Sequence, residues 1–431
     1  MTSPSARLII SFGVYRLSML SHIKEVGYTM LQHSKVYKPL RGIIIMDIES
    51  ELYKQNPWWE GKFKEESISR EIYLNEIFKN IKNKEIIFLA GLRRIGKTTI
   101  LMQTINQLLT NKIKPKDILF IRIDSFNLLE FSIHQLVEEY RKIHKKSASD
   151  FFYLFLDEVT SRDNFEQELK SLYDNENIKV ICSSSIATLM RDKKAHLTGR
   201  TKTIEVMPLN FQEFLQFKGA EIGKADKAKL ESYFKDYLKI GGVPYYVLTE
   251  DRAYLNELIE SIIYKDIIAY HKISGERAIK ELFVLLCQRV GKPMSYNKLA
   301  ELLKISVNSV KRFVGYFEKA YLFYVVDRYS KSANERITSP KKVYIGDVGI
   351  KNIITEFKDL GASYENLVFL KIKNKKPNYY LENSAEIDFI TKDSLIEAKY
   401  NQELNEKQLG AFNAVKSKKK IIANGYKFFL D

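Results

Sequence analysis

Four short runs in the first half of the chain are apolar and continuous rather than alternating: EIIFLA at 85–90, DILFIRID at 117–124, FFYLFLDE at 151–158 and IKVICSSS at 178–185. A strand with one wet face would alternate. A continuous run predicts a strand buried on both faces, as in a parallel sheet covered by helices. Between these runs, Thr99–Leu109 and Ile133–Ile143 carry apolar residues at helical spacing and read as connecting helices. Strand–helix–strand order of this kind predicts an α/β domain.

The pattern changes after Pro208. Residues 211–276 read as helical, broken by the turn Gly241-Gly242-Val243-Pro244. Residues 277–346 give three helical periods and then two strand-like runs, YLFYVVDRY (321–329) and KKVYIG (341–346), around the polar, turn-rich SKSANERITSP. Residues 362–431 return to short strands, with one helix near 404–417. Residues 1–45 show no clear periodicity and read as an extension, either an artefact of the assigned start or a loosely attached arm. The predicted organisation is therefore an extension (1–45), a core (46–210), a helical lid (211–276), a helix-and-strand module (277–346) and a small α/β module (347–431).

Composition narrows the class. A chain of 431 residues holds two to four domains at roughly 100–200 residues each. With 45% hydrophobic and 28% charged residues it has a globular profile, which excludes disordered, collagen-like and disulfide-scaffold classes. The net charge of +16 points to a polyanionic partner, usually nucleic acid. Two cysteines, Cys182 and Cys287, make neither a disulfide framework nor a thiolate metal site, and the six histidines show no paired metal spacing. No apolar run approaches the roughly 18 residues of a bilayer span, and LIISFGVYRLSML is broken by Arg16 and lacks a cleavage site. The cytoplasm is the expected compartment.

One motif carries specific chemistry. Gly91-Leu92-Arg93-Arg94-Ile95-Gly96-Lys97-Thr98-Thr99 matches the Walker A pattern and lies after a buried strand and before a helix. The glycines let the backbone wrap a phosphate with its N–H groups pointing inward, and the helix adds its positive dipole end. Lys97 should reach the β- and γ-phosphates, and Thr98 should bind Mg²⁺. The strand Phe152–Leu156 ends in Asp157-Glu158, which fits a Walker B carboxylate for Mg²⁺ followed by the base for the attacking water. Ser183, at the tip of the next strand, is placed to sense phosphate or position that water. Arg200, after the flexible Gly199, is a candidate to neutralise transition-state charge. Trp58 and Trp59 read as packing anchors, and Arg70 is not assigned to the nucleotide.

These residues carry a resemblance. GLRRIGKTT, LFLDE, ICSSS, LTGR, the stretch Met207–Glu213, IGGVP at 240–244 and the opening Asn56-Pro57-Trp58-Trp59 look like the archaeal and bacterial AAA+-like ATPases of the additional-strand, catalytic-glutamate P-loop division. The resemblance runs from about Met46 to the C-terminus. It implies a sheet in which another strand separates the Walker A and Walker B strands, with a helical lid after Pro208. One departure is Ser184, where the family usually has glycine between two hydroxyl residues.

The third helical period of 277–346 is preceded by Ser306, and the second by Ser295; both serines look like N-caps. With the two strand-like runs as a wing, the segment reads as a winged helix-turn-helix. Asn308, Lys311 and Arg312 fall on its exposed face, as DNA contacts or as a solvated face of a protein-docking module. Further on, Ala385–Tyr400 reads as a hairpin in which Glu397 and Lys399 share a face that Asp388 can meet. With Glu365 these groups could hold a second Mg²⁺. The hairpin looks like the PD-(D/E)xK restriction-endonuclease-like fold, with Ile387 in place of the usual proline.

The sequence thus predicts an ATP- and Mg²⁺-dependent ATPase coupled to a DNA-binding C-terminal half, not membrane-bound, with room for a homo-oligomer. Two alternatives stay open: a nucleotide switch with a protein partner, and an ATP-gated nuclease.

Overall fold

The computed structural model describes residues 48–186, 197–223, 226–273, 275–382 and 385–430. They belong to the second of two units, Asp47–Asp431. The extension over 1–45 lies outside the described residues.

Strands β1 (Ile86–Ala90), β2 (Ile118–Arg122), β3 (Phe152–Asp157), β4 (Ile178–Ser184) and β5 (Thr201–Glu205) form one sheet in the order β2-β3-β4-β1-β5. Every pairing is parallel. β4 separates the strand before the glycine loop from the strand ending in Asp157, as expected for a P-loop NTPase core. The continuous runs are explained by burial on both faces. Ile87 and Leu89 of β1 pack with the helix Lys97–Thr110, whereas Ile86 and Phe88 face the helices Ile133–His144 and Phe165–Asn175. Each such side chain contributes about 1.5–3 kcal/mol by leaving water. The registers Ala90↔Ser184 and Leu156↔Cys182 bring the carboxyl tips of β1, β3 and β4 level. Trp58 and Trp59 both donate from Nε1 to the Ile118 carbonyl, which makes them anchors at the start of β2.

Residues after Pro208 fold mainly as helices: Phe211–Phe217, Lys227–Ile240, Pro244–Thr249, Arg252–Ser261 and the π-helical segment Ile262–Ala269. The helices Glu276–Gln288, Tyr296–Leu303 and Val307–Lys319 then pack on a three-stranded antiparallel sheet. Its strands β6 (Pro293–Met294), β7 (Phe323–Val326) and β8 (Lys341–Ile345) lie in the order β6-β8-β7. Ser306 caps its helix by accepting from Ser309 N at 3.1 Å, while Ser295 occupies the N-cap position without a side-chain cap bond. The turn-rich segment between β7 and β8 holds a short helix, Ala333–Thr338.

Four strands close the chain: β9 (Asn378–Glu382), β10 (Ala385–Ile390), β11 (Ser394–Lys399) and β12 (Lys419–Asn424), in the order β12-β11-β10-β9. β9, β10 and β11 run antiparallel, and the helix Glu406–Ala414 carries the chain to a β12 parallel with β11. The helix Leu360–Ile372 packs against this sheet.

Candidate active site

The loop from Gly91 to Gly96 joins β1 to the helix Lys97–Thr110. At Gly91 a Cβ would stand 2.2 Å from the Val206 carbonyl oxygen, so only glycine lets the loop pass the end of β5. At Gly96 the backbone is left-handed, φ +96°, and nothing lies within 4 Å of where a Cβ would be. The loop is open there.

Lys97 is buried beneath this opening. Its ammonium donates to the carbonyls of Gly91 (3.1 Å) and Leu92 (2.9 Å) and forms no ion pair among the described residues. Burial pulls its pKa down, against the pull of Glu158 and Asp157. A buried cation held only by carbonyls fits an anion entering the loop.

Thr98 Oγ1 donates to Asp157 Oδ2 at 2.8 Å. Ser183 Oγ donates to the other oxygen, Asp157 Oδ1, and accepts from Glu158 N at 2.9 Å. Burial raises the Asp157 pKa, and the two hydroxyls oppose that rise. A hydroxyl and a carboxylate at this spacing are the oxygen donors Mg²⁺ takes, with water and phosphate as the remaining ligands. Glu158 sits at φ +52°, a left-handed conformation that turns its side chain off the strand. Its carboxylate accepts from Ser185 Oγ (2.6 Å) and Ser185 N (3.3 Å). Burial would raise its pKa, but Lys97, Ser185 and Arg93 outweigh this and hold it below the usual carboxylate value. Ser184, the departure from the glycine pattern, is accommodated: its hydroxyl meets Thr160 Oγ1 at 3.0 Å and the strand runs through it.

Two loop arginines border the cavity beside the loop and are held by residues of the helical segment. Arg93 grips Asp266 of the π-helical segment through Nε (2.9 Å) and Nη2 (2.6 Å). Arg94 lies over the Tyr254 ring at 5.2 Å. A cavity of about 540 Å³ opens beside the loop, walled by Ile68, Phe217, Tyr245 and Leu248 as well as Gly96–Thr99 and Glu158. Arg70 borders it but is committed elsewhere: it pairs with Glu213 (2.9 Å) and donates to the carbonyls of Ile95 and Met207.

Arg200 requires a correction. Its carbonyl accepts from Ile86 N at 2.8 Å, at the start of β1, and its guanidinium pairs with Asp174 at 3.0 Å. The loop leaves the other end of that five-residue strand, about 16 Å away at 3.3 Å per residue. Arg200 precedes a parallel strand, so it falls at the amino end of the sheet and does not reach its own chain's phosphate site.

The C-terminal residues do come together, but not as expected. Asp388 Oδ2 accepts from Ala398 N at 2.9 Å, Glu397 Oε2 from Asp388 N at 3.1 Å, and Lys399 pairs with Glu397 at 3.0 Å. Glu365 accepts from Tyr344 Oη at 2.6 Å. Sequence reasoning missed the central group: Lys342 of β8 is wholly buried, 3.0 Å from Glu365, 2.7 Å from Glu386 and 3.5 Å from Asp388. Burial alone would lower its pKa, but the three carboxylates hold it above the ordinary lysine value. The second Mg²⁺ site expected at Glu365, Asp388, Glu397 and Lys399 is therefore corrected. Among the described residues no group of three or more acidic, histidine or cysteine side chains is arranged to hold a metal ion.

Other functional residues that sequence reasoning did not single out are Ser185, Asp266 and Tyr245. Ser185 was legible as part of the hydroxyl run at the tip of β4. Asp266, distant in sequence and inside an apolar helical stretch, gave no signal.

The AAA domain family matches residues 83–215, and a domain of unknown function (DUF8612) matches residues 231–361. An uncharacterized protein of Methanocaldococcus jannaschii, MJ1544, is 32% identical over 362 residues, covering 79% of this chain and 78% of that protein. An uncharacterized protein of Haemophilus influenzae is 25% identical over 342 residues, covering 75% and 84%. Among solved structures, the Aeropyrum pernix ORC1 protein in complex with DNA aligns at 11% identity with a TM-score of 0.32, over 68% of this chain and 94% of that one. AMPPCP-bound DnaA from Aquifex aeolicus aligns at 16% identity with a TM-score of 0.27, over 58% and 87%.

Proposed function

The chain belongs to the family of the M. jannaschii protein MJ1544 and carries an AAA domain, and from that premise we propose that it is a Mg²⁺-dependent ATPase. The observation that carries the proposal is the convergence of four groups on one open loop: the buried Lys97, the Thr98–Asp157 pair and Glu158. Lys97 binds the β- and γ-phosphates, and the loop from Gly91 to Thr99 supplies backbone N–H donors. Thr98 and Asp157 would hold Mg²⁺, which when bound neutralises charge on the phosphate oxygens. Ser183 fixes the Asp157 carboxylate, and Ser185 fixes Glu158. Glu158, kept ionised by its neighbours, takes the proton from the attacking water. Tyr245 and Leu248, each about half exposed on the cavity wall, offer an apolar surface to the base.

The module of 277–346 supports a winged helix-turn-helix reading: three helices, the second and third joined by a short turn, then an antiparallel pair of strands. Asn308, Lys311 and Arg312 are exposed on the third helix, which suits a polyanionic groove and the net charge of +16. DNA is thus the proposed partner of this half. ATPase rate with and without duplex DNA, across a salt series, tests it. Stimulation that fades with salt is the expected result, since phosphate contacts release counterions. An unchanged rate refutes the DNA coupling.

One observation favours the second reading, a nucleotide switch with a protein partner. Arg93 ties the phosphate loop to Asp266 in the segment leading to the C-terminal modules, and π-helical turns often mark functional sites. Very slow hydrolysis indifferent to DNA, with ATP still bound, would select this reading.

No helix among the described residues is long and apolar enough to cross a membrane.

A further inference from the structure

We infer that Lys342 permanently fills the cation position of the C-terminal acidic cluster, so that the cluster joins two modules by ion pairs and takes no divalent metal. The restriction-endonuclease resemblance implies a metal among Glu365, Asp388 and Glu397. The structure disagrees, and the disagreement has a definite cause.

The cause is where the lysine comes from. Lys342 does not belong to the terminal sheet but to β8, the middle strand of the neighbouring three-stranded sheet. It is in register with Val326 on one side and Pro293 on the other, so its backbone cannot slide. Its stem is enclosed, with no exposed side-chain surface. Its ammonium passes within 5.8 Å of the Tyr379 ring and ends among Glu365, Glu386 and Asp388. Three N–H donors thus meet three carboxylates.

A divalent ion would need those same oxygens, drawn in to about 2.0–2.6 Å. It would then lie beside a buried ammonium, with only a low dielectric between the like charges. Three of the other oxygens are also committed. Asp388 Oδ2 and Glu397 Oε2 accept from backbone N–H groups, and Glu397 Oε1 accepts from Lys399. Glu365 Oε1 is shared by Lys342 and the Tyr344 hydroxyl. The inference stands apart from the ATPase reading, since no residue is common to both.

The test is Mn²⁺ titration of the full chain without nucleotide, followed by calorimetry, for native protein and Asp388→Asn. Native protein should show no site tighter than about 1 mM that Asp388→Asn removes. Lys342→Met, and Lys342→Gln as a second variant, should each gain one Mn²⁺ per chain, lost again when Asp388→Asn is added. An Asp388-dependent Mn²⁺ site in native protein overturns the inference. So does a folded Lys342→Met that gains no site. If neither lysine variant folds, the native and Asp388→Asn comparison decides alone.

Discussion

Thr98 Oγ1 stands 2.8 Å from Asp157 Oδ2, although 59 residues separate them in sequence. The contact exists because β1 and β3 run parallel on either side of β4, so the loop after one and the tip of the other meet above the same sheet edge.

Glu158→Gln should bind ATP nearly as tightly as native protein but turn it over far more slowly. Loss of a positioned general base costs about 10²- to 10⁴-fold. Glutamine can still accept from Ser185 N and stay in place. Single-turnover kinetics beside a binding isotherm check this. Equal turnover in the variant would remove Glu158 from the base role.

Arg200→Ala should leave the turnover number of the chain within about twofold of native. The substitution removes a partly exposed pair with Asp174, worth about 0.2–1 kcal/mol, at the far end of the sheet. Steady-state ATPase assays and a thermal melt read both effects. A loss of 100-fold in turnover would show that the guanidinium acts on the nucleotide after all.

Arg70 and Glu213 form an ion pair whose side chains are 2% and 8% exposed. Arg70→Ala leaves a carboxylate without its partner in the interior, which costs about 3–5 kcal/mol. The double variant Arg70→Met/Glu213→Leu should recover part of the loss, because the unpaired charge is gone while the Ile95 and Met207 carbonyls and the Asn210 N–H lose their partners. Denaturant unfolding of the two variants distinguishes this from a nucleotide-binding role. In that case affinity would fall and stability would not.

The terminal cluster sets a pH dependence of unusual sign. Burial first and Asp388 second push Glu365 and Glu397 up to about 7, from an ordinary 4.5. Between those values the folded chain holds more protons than the unfolded chain, so this contribution to stability falls as pH rises through the window. Native protein should therefore lose Tm relative to Glu365→Gln between about pH 5 and about pH 8. A difference that stays constant across the range, or grows in the native protein's favour, would contradict the assignment.

β1 to β4 were legible because burial on both faces leaves them as almost continuous apolar runs. β5 was not, because most positions of TKTIE are half exposed and it reads as polar. The glycine loop, Asp157 and Glu158 were legible because their chemistry is local in sequence. Arg200 was misplaced because its distance in sequence from Lys97 says nothing about which end of a parallel sheet it occupies. Lys342 was invisible for a related reason. A Lys-Lys pair at the start of a strand usually marks solvent, and only the packing of β8 against the terminal sheet turns one of the two inward. The hairpin carboxylates were found by their alternation, but not the cation they surround.

The decisive experiment is titration of ATP with Mg²⁺ into the native chain and into Lys97→Ala. Native protein should show one site, weakened about 10- to 150-fold in the variant as charge-assisted phosphate contacts worth about 1.5–3 kcal/mol are lost. A folded native chain that binds neither ATP nor ADP would contradict the nucleotide-site assignment.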